Sequence, residues 1–447
     1  MEMKTFKIGG IHPADNKFSA NVAIETLRQL PSRVVIPLSQ HIGAPATPIV
    51  GKGDKVKVGT LIAKSSGFVS ANIHSSVSGT VVKIDNFEDA FGVRKPAIEI
   101  EVEGDEWEET IDKNAKIDRT FNLSSEEIIE KITEAGIVGM GGATFPTQVK
   151  LMPPAGKKAD TLIINAVECE PYLTSDHRLM LEKGKEIMIG IQLLMKATKV
   201  NRVIIGIESN KPDAIELMTT LSSRTMSVEV CPLKLKYPQG SEKQLIVATT
   251  GRELPSGQLP IDVGVIVQNV GTAYAVFEAI VKNKPLVERV VTVTGKSLKQ
   301  TKNLLVRVGT PMQFVLDSVG GLPIDTGKVV AGGPMMGKAV SNLNAPVTKG
   351  TSGILVMNNK ESKREEMENC IRCGKCVEVC CMGLQPYLMM KLAEKAMWKE
   401  AEEEAIYDCL ECGSCSYICP SHRPLLDYVR FGKSKVMQIR RERNLKE

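Results

Sequence analysis

Two copies of one cysteine pattern lie toward the end of the chain, and no other feature restricts its fold as strongly. Cys370, Cys373, Cys376 and Cys380 form the first copy; Cys409, Cys412, Cys415 and Cys419 form the second. Each reads C-x2-C-x2-C-x3-C, the spacing that holds a pair of [4Fe–4S] clusters, with the fourth cysteine of each run serving the other cluster. The expected ligand sets are Cys370, Cys373, Cys376 with Cys419, and Cys409, Cys412, Cys415 with Cys380. Short loops let three thiolates converge on one cubane face, and thiolates suit iron–sulfur better than oxygen ligands do. A zinc site needs four ligands once and does not account for a duplicated run. Disulfides conflict with the reducing setting implied when eight of 11 cysteines follow cluster spacing. Cys169, Cys231 and Cys381 are left over.

At 447 residues the whole chain has room for about three domains by the usual length prior. A net charge of +5 is a mild excess that calls for no nucleic-acid partner. The segment Met1–Lys7 lacks the apolar core of a signal peptide. The most apolar long run, Val263–Val281, is interrupted by Gln268, Asn269 and Glu278, too polar for a spanning helix. The expectation is a chain with no membrane span of its own.

Taken in order, Val34–Val102 is cut by glycines into short valine and isoleucine runs, which predicts a small barrel or sandwich of tight hairpins. It resembles the lipoyl/biotinyl barrel-sandwich type. The turn corresponding to the cofactor-bearing tip, Ser70–Ser78, holds no lysine, so the expected role is structural, with His74 a surface or hydrogen-bonded residue. Ser124–Glu127 reads as a capping box before a helix ending near Gly136. Beyond it, strands at Thr161–Asn165, Arg202–Ile207, Val228–Leu233 and Val263–Gln268 alternate with helices at Asp176–Ala197, Asp213–Leu221, Ser241–Thr249 and Thr272–Lys282. Such alternation predicts a mostly parallel sheet covered by helices. Short strands around one helix follow at Val287–Val340, with Ala331–Gly337 as a turn or a point of close backbone approach. Asn358–Glu368 reads as a linker, Gln385–Asp408 as helical, and the basic tail Lys433–Glu447 as frayed and solvated.

The glycine-rich stretch Gly136–Lys150 leaves peptide N–H groups uncovered at Gly139, Gly141 and Gly142, as a phosphate cradle requires. It matches neither the Rossmann nor the Walker fingerprint. Its company strengthens it: Asn165-Ala-Val-Glu168-Cys-Glu170-Pro follows a predicted strand, where ligands sit in α/β sheets. Tyr237-Pro-Gln-Gly240-Ser241-Glu242 and Gln268-Asn269 stand at the edges of later elements. Lys150 offers a cation to a phosphate or ring carbonyl, and Phe145 a face for a flat heterocycle. For each carboxylate singly, helix capping or plain surface is as good an account.

These three stretches resemble the flavin-site signatures of the FMN-carrying, NADH-oxidising subunit of respiratory complex I. Together with Gly9-Gly-Ile-His-Pro-Ala-Asp-Asn-Lys17, the barrel-like block and the paired cysteine runs, almost the whole chain resembles the RnfC family of Rnf electron-transport complexes, membrane ferredoxin:NAD+ oxidoreductases. The resemblance implies a multidomain α/β chain: an N-terminal barrel-sandwich-like β domain at 1–105, a Rossmann-like FMN/NADH domain at 120–284, a β-grasp-like domain at 285–345, and a helical dicluster ferredoxin domain at 360–432. It implies FMN held by Gly139, Gly141 and Gly142 with Lys150, Asn165, Glu168, Gly240, Ser241, Glu242 and Asn269. NAD(H) would stack near Phe145, with Glu170 and Glu242 toward the nicotinamide. The partners implied are the other Rnf subunits and, through them, ferredoxin, with the chain peripheral on the cytoplasmic face of the membrane. Four positions depart from the complex I pattern: Met140 stands for arginine, Thr144 for glycine, Val167 for aspartate and Ser241 for glutamate. Met140 and Val167 motivate a second reading, an iron–sulfur carrier whose flavin site has decayed. A cobalamin (corrin) reductase shares the middle and C-terminal layout but lacks the front block.

Overall fold

The structure, a computed structural model, describes residues 3–114, 122–223 and 227–444. Residue 120, where the second domain is expected to begin, and the tail end at 445–447 lie outside them. In the front block, strands Arg33–Pro37, Lys55–Val56, Gly79–Glu88 and Arg94–Val102 form a four-stranded sheet, and Thr47–Pro48, Leu61–Lys64 and Ile73–His74 a three-stranded one. Alternate residues Val34, Ile36, Ile98 and Ile100 turn inward to meet Ile62 and Ile73, the period-2 burial expected of packed strands. The expected hairpin tip is different. Ser70, Ser75 and Ser76 are buried, and His74 is 9% exposed with its Nδ1 unpartnered among the described residues. Gln148 Nε2 donates to Ser70 O, Asn72 Nδ2 to Glu134 O, and Ser76 Oγ to Val308 O. This turn is a joint against the two following units, a contact that local sequence cannot announce.

The middle sheet runs in the order Val228–Leu233, Arg202–Glu208, Thr161–Asn165, Val265–Asn269, with every pairing parallel. Its strands are apolar on both faces because both are covered. Leu162 and Ile164 join the core under the Ser125–Glu134, Ser175–Thr198, Pro212–Ser222 and Val270–Val281 helices, whereas Ile163 packs with Leu245 and Ile246 of the Glu242–Thr250 helix. The capping box forms as expected at Ser124 and Glu127. The strand order reverses between Thr161–Asn165 and Val265–Asn269, so a crevice opens at their carboxyl ends, where open α/β sheets take ligands. Where the Ser175–Thr198 helix crosses Val270–Val281, a Cβ on Gly190 would stand 1.8 Å from Ala273 O.

The third sheet is mixed and six-stranded: Ile24–Thr26, Lys302–Arg307, Glu288–Thr294, Gly353–Asn358, Thr326–Ala331, Lys338–Ala339. It draws one strand from ahead of the barrel and one from beyond residue 345. The cysteine-bearing segment is helical, with Met389, Leu392, Ala401, Ile406, Val429 and Val436 as its core. The tail is not frayed over its described length. Leu425–Asn444 is one helix, and Arg440 and Arg443 pair with Glu402 while Arg440 lies 4.3 Å above the Tyr407 ring. Packing of its apolar stripe overrides the charge run. Among the described residues no helix is long and apolar enough to cross a membrane.

Lys349 ties three units together. Its Nζ, fully buried, donates to Asn72 O and Gly136 O at 2.8 Å each, and Gln40 Oε1 accepts from its backbone N–H. Burial pushes its pKa down from 10.5 to about 7. Between those values the unfolded chain binds more protons than the folded one, so stability rises with pH across that window, by about 1.4 kcal/mol per unit of depression at most. Below pH 7 both states are charged and the slope vanishes. Melting temperatures at pH 7 and 9 are expected to rise for the wild type relative to Lys349→Met; parallel shifts would rule this out.

Candidate functional site

The glycine loop is built at the sheet's switch point. The Ser125–Glu134 helix stops at Gly136, whose φ of 62° is left-handed and whose Cβ would meet Asn72 O at 2.2 Å. Gly139 N donates to Phe145 O at 2.8 Å and closes the loop at its base. Behind it, Met140 N donates to Thr272 Oγ1 at 3.0 Å and Met140 O accepts from Arg289 at 2.7 Å. Met140 itself is 7% exposed. Pinned this way, the loop turns Gly141, Gly142 and Ala143 outward to solvent.

Asn165 and Asn269 end the two strands flanking the switch point and are paired in register. Asn165 Nδ2 donates to Gly240 O at 2.8 Å, and Asn269 Nδ2 to the Asp176 carboxylate at 2.7 Å while its Oδ1 caps Gly271 N. Burial raises Asp176 to about 6, with the neighbouring Glu168 charge adding to it. A Cβ on Gly141 would lie 2.6 Å from Asn269 Nδ2, so glycine is what lets the loop approach. Lys150 Nζ donates to Glu242 Oε1 at 2.7 Å and to Val267 O at 3.1 Å. Ser241 sits at the start of the Glu242–Thr250 helix, and its hydroxyl makes no capping bond. Thus Gly141, Lys150, Asn165, Gly240, Glu242 and Asn269 come together, with Phe145 half-buried at the loop base. The buried amide nitrogen of Gln268, next to them, has no partner among the described residues. An exposed glycine cradle, a helix N-terminus, an ammonium and amide groups are the donor set that a phosphorylated polar ring system needs, and the residues fit FMN.

Two of the expected contacts are engaged elsewhere. Glu168 accepts from Ser175 Oγ and Asp176 N with Oε1 and from His177 N with Oε2, capping the long Ser175–Thr198 helix from seven residues upstream. Its negative charge sits where the helix dipole favours it. Glu170 faces the Ala331–Gly337 loop: Met336 N donates to its Oε1 at 2.6 Å, and its Oε2 is buried with no partner among the described residues. Burial raises its pKa to about 7. A Cβ on Gly333 would meet Glu170 at 2.7 Å, so Ala331–Gly337 is indeed a point of close approach.

That same loop leads to the cysteines. Cys380, Cys409, Cys412 and Cys415 line one pocket, walled by Leu384, Met389 and Val429. Four thiols around a largely apolar chamber suit a [4Fe–4S] cluster. Cys376 and Cys419 are electrostatic neighbours, and Cys370 and Cys373 are exposed. Cys381 also reaches the chamber, with its thiol hydrogen-bonded to Cys412. Since the chamber already holds four thiols besides Cys381, Cys381→Ala is expected to keep about eight irons per chain, as two cubanes require; a fall to about four, measured by iron assay, would make it a ligand. Arg289 and Thr272, which hold the loop, carry no local signal in the sequence. Neither does the contact of Tyr237, whose hydroxyl donates to Cys412 O at 2.8 Å from a position 175 residues away.

Four family models match the chain in order: the RnfC barrel sandwich hybrid domain at residues 4–105, the Nuo51 FMN-binding domain at 132–278, an SLBB domain at 290–339 and a 4Fe-4S dicluster domain at 365–422. The chain is 48% identical over 401 residues to the C subunit of the proton-translocating ferredoxin:NAD(+) oxidoreductase complex of Clostridium ljungdahlii, covering 89% of this chain and 86% of that one. It is 45% identical over 441 residues to the C subunit of the Na(+)-translocating ferredoxin:NAD(+) oxidoreductase complex of Acetobacterium woodii, covering 98% and 99%. It is 44% identical over 393 residues to the C subunit of the ion-translocating oxidoreductase complex of Rhodobacter capsulatus, covering 86% and 74%. Among solved structures, the NAD+-reducing [NiFe]-hydrogenase in its air-oxidized state shares the fold, with a TM-score of 0.51 at 19% identity over 70% of this chain and 66% of that one. With 44–48% identity to these relatives over most of its length, and with the barrel, flavin, SLBB and dicluster units in this order, the chain belongs to the RnfC family of ion-translocating ferredoxin:NAD+ oxidoreductase complexes.

Proposed function

We propose that this chain is the NAD(H)- and FMN-binding electron-transfer subunit of an Rnf-type ferredoxin:NAD+ oxidoreductase, passing electrons between NAD(H) and two [4Fe–4S] clusters while partner subunits move the ion. One observation carries the reading: the chamber lined by Cys380, Cys409, Cys412 and Cys415 is backed directly onto the flavin unit. Tyr237 reaches Cys412 O, Gln244 Nε2 donates to Cys381 O at 3.0 Å, and a Cβ on Gly413 would stand 2.9 Å from Met335 O of the loop that covers Glu170.

FMN supplies the exchange between a two-electron hydride donor and one-electron clusters. The protein's own part is binding, orientation and spacing. Gly139, Gly141 and Gly142 offer the cradle, Lys150, Asn165, Gly240, Ser241, Glu242 and Asn269 the polar rim, and Phe145 a face for the nicotinamide. Glu168 contributes by holding its helix end in place. In this reading, Cys409, Cys412, Cys415 and Cys380 hold the cluster beside the flavin. Cys370, Cys373, Cys376 and Cys419 hold the outer one, flanked by the exposed Ile371 and Tyr417, toward the partner subunits. The middle unit is Rossmann-like in strand order, the SLBB unit β-grasp-like, and the last unit a helical dicluster ferredoxin. The chain would lie on the cytoplasmic face of the membrane.

Met140 and Val167, which motivate the decayed-flavin reading, are both buried, at 7% and 0% exposure. The test is iron–sulfur-reconstituted protein given FMN and NADH: flavin binding and ferricyanide reduction are expected, and the absence of both leaves only a carrier.

A further inference from the structure

The segment Phe6–Lys17 has no role in the flavin or cluster chemistry, yet it touches both units. It is nearly devoid of regular structure and is held entirely by other parts of the chain. Lys4 enters beside the edge strand of the parallel sheet, where Lys234 N donates to Lys4 O at 2.9 Å. Phe6 is 2% exposed, with the Lys236 ammonium 4.2 Å above its ring. At Gly9 and Gly10 the backbone is left-handed, with φ of 64° and 94°. Gly10 N donates to Val379 O at 2.9 Å, and a Cβ on Gly9 would lie 2.5 Å from the carbonyl carbon of Cys380. Only glycine permits both the conformation and the approach.

Two residues on, Ile11 and Tyr237 exchange two backbone hydrogen bonds of 2.9 Å, and it is the Tyr237 hydroxyl that reaches Cys412 O. At its far end, Asp15 O accepts from Tyr172 N at 2.7 Å. Lys17 Nζ donates to three carbonyls, Glu168 O at 2.8 Å, Glu170 O at 2.9 Å and Leu173 O at 2.5 Å. These bonds use all three ammonium protons and clamp the loop that leaves the central strand after Asn165. A buried ammonium is tolerable only where its donors are matched.

We infer that Phe6–Lys17 is a positioning strap that sets the gap between the flavin crevice and the inner cluster, with Gly9 seating the Cys380 backbone and Lys17 holding the loop behind Asn165. The inference rests on the proposed function above. Both act through protein backbone, Gly9 on Cys380 and Lys17 on Glu168, Glu170 and Leu173, so both are positioning residues. Exchange of single electrons falls exponentially with the gap, so a displacement of either unit is read directly in the rate.

The test uses the full chain, reconstituted with iron–sulfur and FMN. Gly9→Ala is expected to keep FMN and at least the four irons of the outer cluster. It should weaken the enhancement of flavin-semiquinone spin relaxation by the inner cluster, and slow cluster reduction by NADH several-fold, while NADH still bleaches the flavin at the wild-type rate. Unchanged spin relaxation and unchanged cluster reduction overturn the inference. Should Gly9→Ala not fold, Lys17→Met carries the test: with three carbonyls released, FMN dissociation is expected to rise at least about ten-fold with iron content intact, and unchanged FMN affinity overturns it. If the wild type itself shows no bleaching by NADH, the functional proposal fails before the strap is at issue.

Discussion

Gly190→Ala is expected to lower the melting temperature by roughly 6–12 °C, corresponding to about 3 kcal/mol or more. Helix propensity alone argues the opposite sign, because alanine in a helix interior is favoured over glycine by about 1 kcal/mol. The contact decides. The new Cβ would stand 1.8 Å from Ala273 O, a backbone atom in the facing helix that cannot swing aside like a side-chain tip. The two helices must part, and the one that moves begins beside Asn269 and carries Thr272, which hold the glycine loop. FMN retention should therefore fall together with stability. A thermal melt with flavin release monitored alongside separates the two arguments: a variant as stable as wild type would mean propensity governs and the helices accommodate the methyl group.

Cys412→Ala is expected to reduce iron from about eight to about four per chain and to abolish NADH-driven reduction of the remaining cluster, while FMN stays bound. Cys412 sits at the meeting point of several contacts: it lines the chamber, its carbonyl accepts from Tyr237, and its thiol is hydrogen-bonded to Cys381. Because Cys381 is a ready substitute thiol in the same chamber, the decisive variant is the double Cys412→Ala, Cys381→Ala. Iron near eight in that protein would sink the assignment of Cys412 to the inner cluster. Electron paramagnetic resonance of the reduced protein reads the same outcome, since one surviving cubane gives a signal without the broadening that two neighbouring ones produce.

How much of this was legible in the sequence depended on how local the cause was. The four parallel strands and their helices fall within a few residues of where apolar periodicity puts them, because burial on both sheet faces writes itself into runs such as Thr161-Leu-Ile-Ile. The capping box at Ser124 is equally local. Long-range causes were invisible. Nothing near Ser70–Ser78 says that this turn is a joint, and for Glu168 the sequence left helix capping and a flavin contact side by side, with only the fold deciding for the cap. The tail misled for a related reason: Val429 and Val436 pack its helix onto the cysteine unit, and that outweighs a run of basic residues. At the site itself, the glycine loop and the two asparagines were readable as types. Arg289 and Lys17 were not, since each acts on a backbone carbonyl more than a hundred residues away.

The pairing of Ile24 with Asn303 in the mixed sheet also bears on how the chain is made. A ribosome adding about 5–20 residues per second takes roughly 15 s to a minute to travel between those two positions. For that interval the front segment waits without its partner strand, and Lys17 waits for the loop it will clasp. The barrel can close early, whereas both cofactor-facing units can reach their final arrangement only after the last third of the chain has emerged. Loss of the segment through Thr26 would thus leave the edge of Lys302–Arg307 uncovered, an open strand of the kind that invites aggregation. Assembly order, as much as native stability, is set by where that short first strand lies.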